Sequence, residues 1–474
     1  MTQVLRRRAR SGLTGMGLAF LLSLLSFQYP TWAQESSNPP PVIVRDGIAI
    51  VTMKNTLALL PGDRRLVRLA FPDADVPVLG AAQTGAAQKS LRRLYAAGKA
   101  AGNRGDLYEN RDRGHSTLPK GVFPQLARVV YDNELRAARL DYGVAQKLIF
   151  GAPVIGNSST ALTAGPSWRS LPRLILTTAD GPYRLYENYA AGQIHVYPEH
   201  RDHDPERGDL LPANTPYYLI SQGSSGSDQA HLEALAMILA ALRPDTKARL
   251  RETGLIAPTV QMIYRRSRNE VLSREAYRSG LAHPSVFSAA GINLTRMVTL
   301  ANAIPPDAVP PMVRLRVMEE GWNGDERMFD TPSAIARVWR AAEGRREMVV
   351  SAADTRDPNG RPLKFIWSVL RGDPERTRIE TLTPDGSQAR ITVEWQEPRP
   401  VPGQPQIVSS RIDIGIFADN GAVDSAPGFV SVLQPRHERR IYEVGAEGGV
   451  LLVDMNRTAS GDIYVDPLLF PESP

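Results

Sequence analysis

The sequence predicts a mixed α/β (α+β) domain over residues 42–330, followed by an all-β sandwich over residues 346–440. Three observations carry this. Up to Ala303, short apolar runs bounded by turn residues alternate with helical apolar periods. Pro305-Pro306 and Pro310-Pro311 then break the helical pattern, which puts the boundary between residues 320 and 346. Beyond Arg346 only short strands with turns recur, the spacing of a sandwich.

The ends and the composition bound the function classes. Arg6, Arg7, Arg8 and Arg10, an apolar run over 18–27 and the small-x-Ala site Thr31-Trp32-Ala33 read as a signal peptide over residues 1–33. The expected mature chain starts near Gln34, with a Ser/Pro-rich tether over 34–41, and is periplasmic or secreted. The apolar run is shorter than the roughly 20 residues a spanning helix needs, so no membrane span is expected in the mature protein. The formal charge of +6 includes four leader arginines and falls to +2 without them. The 56 basic residues, nearly all arginine, are scattered among 50 acidic ones, with no basic stripe, so nucleic acid is not an expected partner. The chain has no cysteine, which excludes disulfide staples and thiolate chemistry and leaves stability to the cores.

Within the first domain, strand patterns over 42–51 and 65–71 flank the turn Pro61-Gly62-Asp63, and the Ala-rich stretch 81–101 reads as a helix. Leu174-Ile-Leu-Thr-Thr, Gln193-Ile-His-Val-Tyr and Tyr217-Tyr-Leu-Ile-Ser are strand candidates separated by polar loops. After Asp228 the texture is helical, with Ser227 or Asp228 as N-cap. Further helices are expected over 245–252, closed by Gly254, and over 259–268, 274–279 and 294–303. In the second domain, strands are expected over 348–353, 363–370, 389–395, 411–418 and 428–433. Ile391, Val393 and Trp395 share one face, as do Ile412, Ile414 and Ile416. Residues 441–474 form a C-terminal extension with a short strand pattern at 450–454.

Asp354-Thr-Arg-Asp357-Pro-Asn359-Gly-Arg-Pro-Leu363-Lys-Phe-Ile-Trp367 resembles the D-x-D-G-x-P-L-x-Y-x-W opening of PKD and cadherin-like immunoglobulin-type domains. Ile414-Gly-Ile-Phe-Ala-Asp419-Asn-Gly is similar to their closing hairpin. The resemblance spans about residues 346–435 and departs from the pattern in the insertion 396–410 and in its acidic spacing. It implies an accessory module that binds carbohydrate or protein, or acts as a spacer. Residues 42–330 resemble no family.

Three constellations could carry chemistry. Gly223-Ser224-Ser225-Gly226-Ser227-Asp228, between a strand and a helix, has the layout in which backbone N–H groups meet an anion, with Gly223, Ser224, Gly226 and Asp228 as the binding residues. Ser225 at its centre is a candidate nucleophile, although Ser227 stands where a nucleophile elbow has glycine, and its histidine would have to be His283 or His437. The same loop also reads as an N-cap and polar turn. His195, His200, Asp202 and His203 offer imidazole and carboxylate ligands for a divalent metal, or else belong to a solvated, self-paired loop. Asp112 and His115 could form an acid/base pair across Gly114, or a structural loop. Gly156-Asn157-Ser158-Ser159-Thr160 reads as a turn more than as a phosphate cradle, and any site is expected on the loops 104–116, 156–168 and 195–228. Two functions remain open: a hydrolase of an envelope or polysaccharide-type substrate, and a non-catalytic envelope protein that binds glycan or protein through its β-sandwich.

Overall fold

The computed structural model describes residues 39–457, apart from 60–61, 73–74, 145, 163–167, 437 and 446–449. The expected signal peptide, the first part of the tether, His437 and the end of the C-terminal extension lie outside the described residues.

The N-terminal region is built on a six-stranded parallel sheet. Its strands are β1 (Ile48–Val51), β2 (Leu107–Asn110), β3 (Ala127–Tyr131), β4 (Val154–Asn157), β5 (Gln193–Pro198) and β6 (Leu219–Ser221). Their order across the sheet is β6-β5-β4-β2-β3-β1. Strands β4, β5 and β6 are buried along their whole length, as parallel strands covered on both faces must be. Helices α1 (Ala86–Ala96), α2 (Leu171–Thr177) and α3 (Gly181–Ala190) lie along the chain between these strands. After β6 follow α4 (Gln229–Ala241), α5 (Pro244–Thr253), α6 (Ile256–Arg266) and α7 (Leu294–Ala303). Helix α4 is apolar on nearly every face and is packed on all sides within the main core. Helix α5 ends at Gly254 with φ +70°, the left-handed C-cap that favours glycine.

The helices expected after Asp228 form where the apolar periods put them. The segment Leu174-Ile-Leu-Thr-Thr, expected as a strand, is instead the body of α2. Pro172 sits in its first turn, and Leu171, Ile175 and Leu176 are buried at helical spacing. A five-residue apolar run cannot by itself tell strand from buried helix.

The C-terminal region is rich in antiparallel strands in two main sheets. One has the order β7 (Arg316–Glu320), β10 (Arg345–Ser351), β13 (Gln388–Glu394), β12 (Thr377–Thr381). The other has the order β8 (Arg327–Thr331), β9 (Ala334–Val338), β15 (Gly428–Leu433), β14 (Arg411–Asp419), β11 (Lys364–Arg371). Only the β9–β15 pair in these two sheets is parallel. Ile391, Val393 and Trp395 meet Ile412, Ile414 and Ile416 in one core with Trp322 and Trp339. Phe417 and Phe429, on the other face of the five-stranded sheet, join the main core of the α/β region. Strand β14 is thus buried on both faces, which is why Ile412 to Ala418 reads as nearly continuous apolar sequence. Among the described residues no helix is long and apolar enough to cross a membrane.

The two regions are joined by buried charge. Arg411 donates to Asp413 at 2.8 and 3.0 Å and lies 3.2 Å from Asp209; Arg371 pairs with Asp209 and lies 3.6 Å from Asp413. Burial raises the Asp209 carboxyl, but the two guanidiniums outweigh it and hold it well below the usual carboxylate range. Ser285 donates to Asp209 and Ser431 donates to Asp413. Removing one member leaves an uncompensated buried charge, so Asp209→Ala is expected to cost about 3–5 kcal/mol in urea unfolding. A loss under about 1 kcal/mol would show that the cluster does not hold the regions together.

Candidate active site

The chain leaves β2 toward β3 on one side and leaves β4 toward β5 on the other, while β2 and β4 are neighbours in the sheet. Their loops therefore part beyond their carboxyl ends, the place where open parallel sheets bind ligands. Asn110 and Asn157, the last residues of the two strands, are register partners at this point.

Alternate residues of β2 go to opposite faces, and each face has its own polar network. On one face Glu109 accepts from Arg111 Nε at 2.9 Å, from His195 Nε2 at 2.8 Å and from the Tyr131 hydroxyl. Burial works against ionisation, but Arg111 and His195 hold the Glu109 carboxyl down at about 2. Burial and the Arg111 charge lower His195 as well, which favours the neutral ring that donates to Glu109. Glu109, Gly156 and His195 form one row across β2, β4 and β5. A Cβ on Gly156 would stand 2.4 Å from the His195 ring and 2.8 Å from the Glu109 carbonyl, so this row requires glycine at its centre.

On the other face, Tyr108 donates to Asn157 Oδ1 at 2.8 Å, and Asn157 Nδ2 donates to Asp228 Oδ2 at 2.6 Å. The Ser116 hydroxyl donates to Asp228 and accepts from the Gly226 N–H at 2.9 Å. Beside this network, Ser159 donates to Asp112 Oδ2 at 3.0 Å and meets His115 Nδ1 at 2.8 Å; the His115 ring is itself 4.0 Å from Asp112. Asp112 and His115 are thus brought together, with Ser159 between them and His115 largely exposed at the mouth.

Burial pushes Asp112 up to about 6, with Asp228 adding to the rise and the Ser159 hydrogen bond opposing it. Burial also raises Asp228, against the hydrogen bonds from Ser116 and Asn157. Glu199, just beyond β5, accepts from the Gly223 N–H at 3.0 Å and the His203 N–H at 3.1 Å, and burial pushes it up to about 8.

Other expectations are corrected here. The Ser225 hydroxyl has no hydrogen-bond partner among the described residues, so no base stands ready to activate it. His283 is buried elsewhere, its Nε2 donating to the Tyr277 carbonyl and its ring packed against Phe417. The glycine-rich loop is clamped: the N–H groups of Gly223 and Gly226 serve Glu199 and Ser116, and that of Ser227 serves the Ser224 carbonyl. Asp228 occupies the N-cap position of α4 but makes no capping bond with its side chain, which turns to Ser116 and Asn157.

The proposed metal set does not assemble. His195 is bound to Glu109, His200 Nε2 to the Ser159 carbonyl at 2.6 Å, His203 to Gln404 at 2.7 Å, and Asp202 to Arg173 and the Ser170 N–H. Among the described residues no group of three or more histidine or acidic side chains is placed to hold a metal ion. Proximity in sequence failed because β5 sends His195 into the core, while the loop that follows carries His203 to the C-terminal region. Ser116, Asn157 and Ser159 lie on the loops expected to hold a site, but the sequence assigned none of them a role in it. The one available signal was small polar residues directly after a strand of a parallel sheet.

The raised Asp112 carboxyl has a measurable consequence. Its folded value of about 6 lies above the usual 3.8, so the stability it contributes is complete below about pH 4 and is lost as the pH rises through 6. Asp112→Asn cannot ionise and escapes that loss. Urea unfolding at about pH 4 and pH 7.5 should show the variant gaining on the parent chain by on the order of 1–2 kcal/mol over this interval. An unchanged difference would mean that Asp112 titrates normally.

No family model matches the chain, and no curated protein matches it. Among solved structures, the chain is similar to a nucleoside hydrolase-related hypothetical protein from Saccharophagus degradans associated with carbohydrate metabolism. The identity is 11%, the match covers 70% of this chain and 100% of that chain, and the TM-score is 0.22, too low for any argument about activity.

Proposed function

We propose that the protein is a hydrolase of a glycan or similar polyhydroxylated substrate of the cell envelope, working by carboxyl acid–base chemistry at Asp112 and Asp228. One observation carries this reading. Among the described residues, the buried carboxylates Asp106, Glu109, Asp141, Asp202, Asp209, Glu326, Asp413 and Asp424 each have a lysine or arginine within 4.0 Å. Asp112, Asp228 and Glu199 are the buried acids without one, and all three lie just beyond the strand ends or at the N-terminus of α4. Burying an acid without a cation is costly, and such groups cluster where chemistry needs a carboxyl near neutrality.

In this reading Asp112, poised near pH 6 and held by Ser159, gives its proton to the leaving oxygen as the bond from that oxygen to carbon breaks; water then bonds to that carbon and returns a proton to Asp112. Asp228, held by Ser116 and Asn157, faces the positive charge that develops as the bond to the leaving oxygen breaks. The pair follows the rule of two carboxyls kept in different environments for different roles. The same proposal includes export by the basic and apolar leader and an immunoglobulin-type C-terminal module akin to PKD and cadherin-like domains. The motifs at Asp354 to Trp367 and Ile414 to Gly421 support that module assignment.

General acid–base groups contribute about 10²–10⁴-fold. Asp112→Asn is therefore expected to lower release of reducing ends from a polysaccharide panel by at least about 100-fold. Asp228→Asn should do the same, each with an unchanged circular dichroism spectrum. Full activity in both variants would sink the proposal.

The second reading, glycan binding by the β-rich region without catalysis, is favoured by a hollow of about 310 Å³ lined by Arg356, Asp357, Arg361, Phe365 and Asp385. If it is right, Arg361→Ala in the full chain weakens retention on a glycan column, and Asp112→Asn leaves retention unchanged. Equal retention of the Arg361→Ala variant would remove this hollow from consideration.

A further inference from the structure

One end of the C-terminal region is built from two turns of the same kind. Strand β10 ends at Ser351 beside Gln388, the first residue of β13, and the Ala352 N–H donates to the Ser387 carbonyl at 2.7 Å. The turn before β13 is Thr383-Pro384-Asp385-Gly386, closed by the Gly386 N–H on the Thr383 carbonyl. The turn before β11 is Asp357-Pro358-Asn359-Gly360, closed by the Gly360 N–H on the Asp357 carbonyl. Proline at the second position and a glycine of positive φ at the fourth suit each to a tight turn. The Phe365 N–H donates to the Asp385 carbonyl, and a Cβ on Gly386 would stand 2.5 Å from the Phe365 carbonyl, so the first of these turns is pressed against β11.

Both turns border the hollow of about 310 Å³, which Leu363 and Phe365 line with apolar surface. Its charged groups are fixed in place without being neutralised. Arg356 donates to the carbonyls of Ala353 at 2.6 Å and Thr355 at 3.1 Å, and Arg361 Nε donates to that of Asp307 at 3.2 Å. Among the described residues neither guanidinium has a carboxylate within 4.0 Å. On the other turn Asp385 is exposed, accepts from the Ser387 N–H at 3.0 Å and has no cation within 4.0 Å among the described residues. That hydrogen bond holds its carboxyl below the usual range, so it is charged at neutral pH. Asp357 differs, because its oxygens are taken: Oδ1 by Asn420 Nδ2 at 2.8 Å, and Oδ2 by the N–H groups of Asn359 at 2.8 Å and Arg361 at 3.0 Å.

Two arginines and two aspartates leave the hollow neutral as a whole, so a simple anion or a simple cation gains little from its field. Its open groups are nevertheless of both signs, guanidiniums beside one turn and a carboxylate on the other, and none of them pairs with another. We propose that the hollow binds a zwitterionic ligand of the amino-acid or short-peptide class, with its carboxylate on Arg356 and Arg361 and its ammonium on Asp385. A guanidinium receives a carboxylate through two parallel N–H bonds, and the aliphatic part of the ligand lies on Leu363 and Phe365. The inference rests on the second reading above, that this hollow is a ligand site, and narrows its ligand to an envelope glycan that carries amino-acid or peptide groups.

The test is titration calorimetry of the full chain at pH 7 with alanine and alanyl-alanine. Each is also used as its N-acetyl derivative, which keeps only the carboxylate, and as its amide, which keeps only the ammonium. At least one of the two zwitterions is expected to bind about tenfold or more tighter than both of its blocked forms, and added salt to weaken it. Asp385→Asn should bring that zwitterion down to the level of its N-acetyl form, and Arg361→Ala to the level of its amide. Asparagine suits this turn position, as Asn359 shows in the other turn, and Arg356→Ala reports on the same end of the ligand if the Arg361→Ala variant does not fold. Blocked forms that bind as tightly as the zwitterions overturn the inference, as does no binding by either zwitterion or a preference that survives in Asp385→Asn and the folded arginine variants. Retention on a glycan column that is lost in Arg361→Ala, without zwitterion binding, overturns the inference and leaves the glycan-binding reading standing. Retention unchanged in that variant, again without zwitterion binding, removes both.

Discussion

Two aspartates and two arginines, sealed from water, fix how the halves of this protein meet. Asp209 comes from the loop after β5, Arg371 from the end of β11, and Arg411 and Asp413 from β14. Their charges balance, and serines from both regions supply further hydrogen bonds. Such a cluster adds little stability over a well-packed apolar contact, but it tolerates only one geometry. The loop from Glu199 to Asp209 is thereby held at both ends: by β5, and by the five-stranded sheet. Insertion 396–410, where the sequence departs from the PKD-like pattern, strengthens the same junction, because its Gln404 reaches His203 and the Val286 carbonyl.

Against this rigid frame stand the buried acids that lack a cationic partner. Glu109 and Asp112 lie three residues apart and are both buried, yet one is held at about 2 and the other raised to about 6. The difference is the face of the sheet each one occupies. Glu109 points to the side where Arg111, His195 and Tyr131 converge, while Asp112 lies beyond the strand end, where hydroxyl and amide groups are its neighbours. Among the described residues the protein pairs its other buried carboxylates with cations and leaves Asp112, Glu199 and Asp228 to hydroxyl, amide and backbone N–H donors.

Much of this was legible in the sequence where the signal was local. The helices after Asp228, the turn at Asp419-Asn420-Gly421 and the inward faces of Ile391 to Trp395 and Ile412 to Ile416 follow from periodicity and turn chemistry. The Asp112/His115 pair was visible because four residues carry it. Ser159, Asn157 and Asp228 were not tied to it, because only the parallel sheet brings residues from 44 to 112 positions apart to one edge. The histidine-rich run failed for the converse reason. Histidines near in sequence were dealt to the core, the Ser159 carbonyl and the junction by a strand and the turn after it.

Gly156 shows how closely the core and the polar cluster at the strand ends are joined. It holds Glu109 and His195 near enough to bond across it, and it is followed at once by Asn157, the residue that ties Tyr108 to Asp228. A side chain at Gly156 would press on the His195 ring and on the β2 backbone at Glu109, three residues before Asp112. The buried Glu109 network therefore sets the position of both strand ends at the point where their loops diverge. The strand register places Asn110 beside Asn157 and so brings Asp112, Ser159 and Asp228 to the same strand ends.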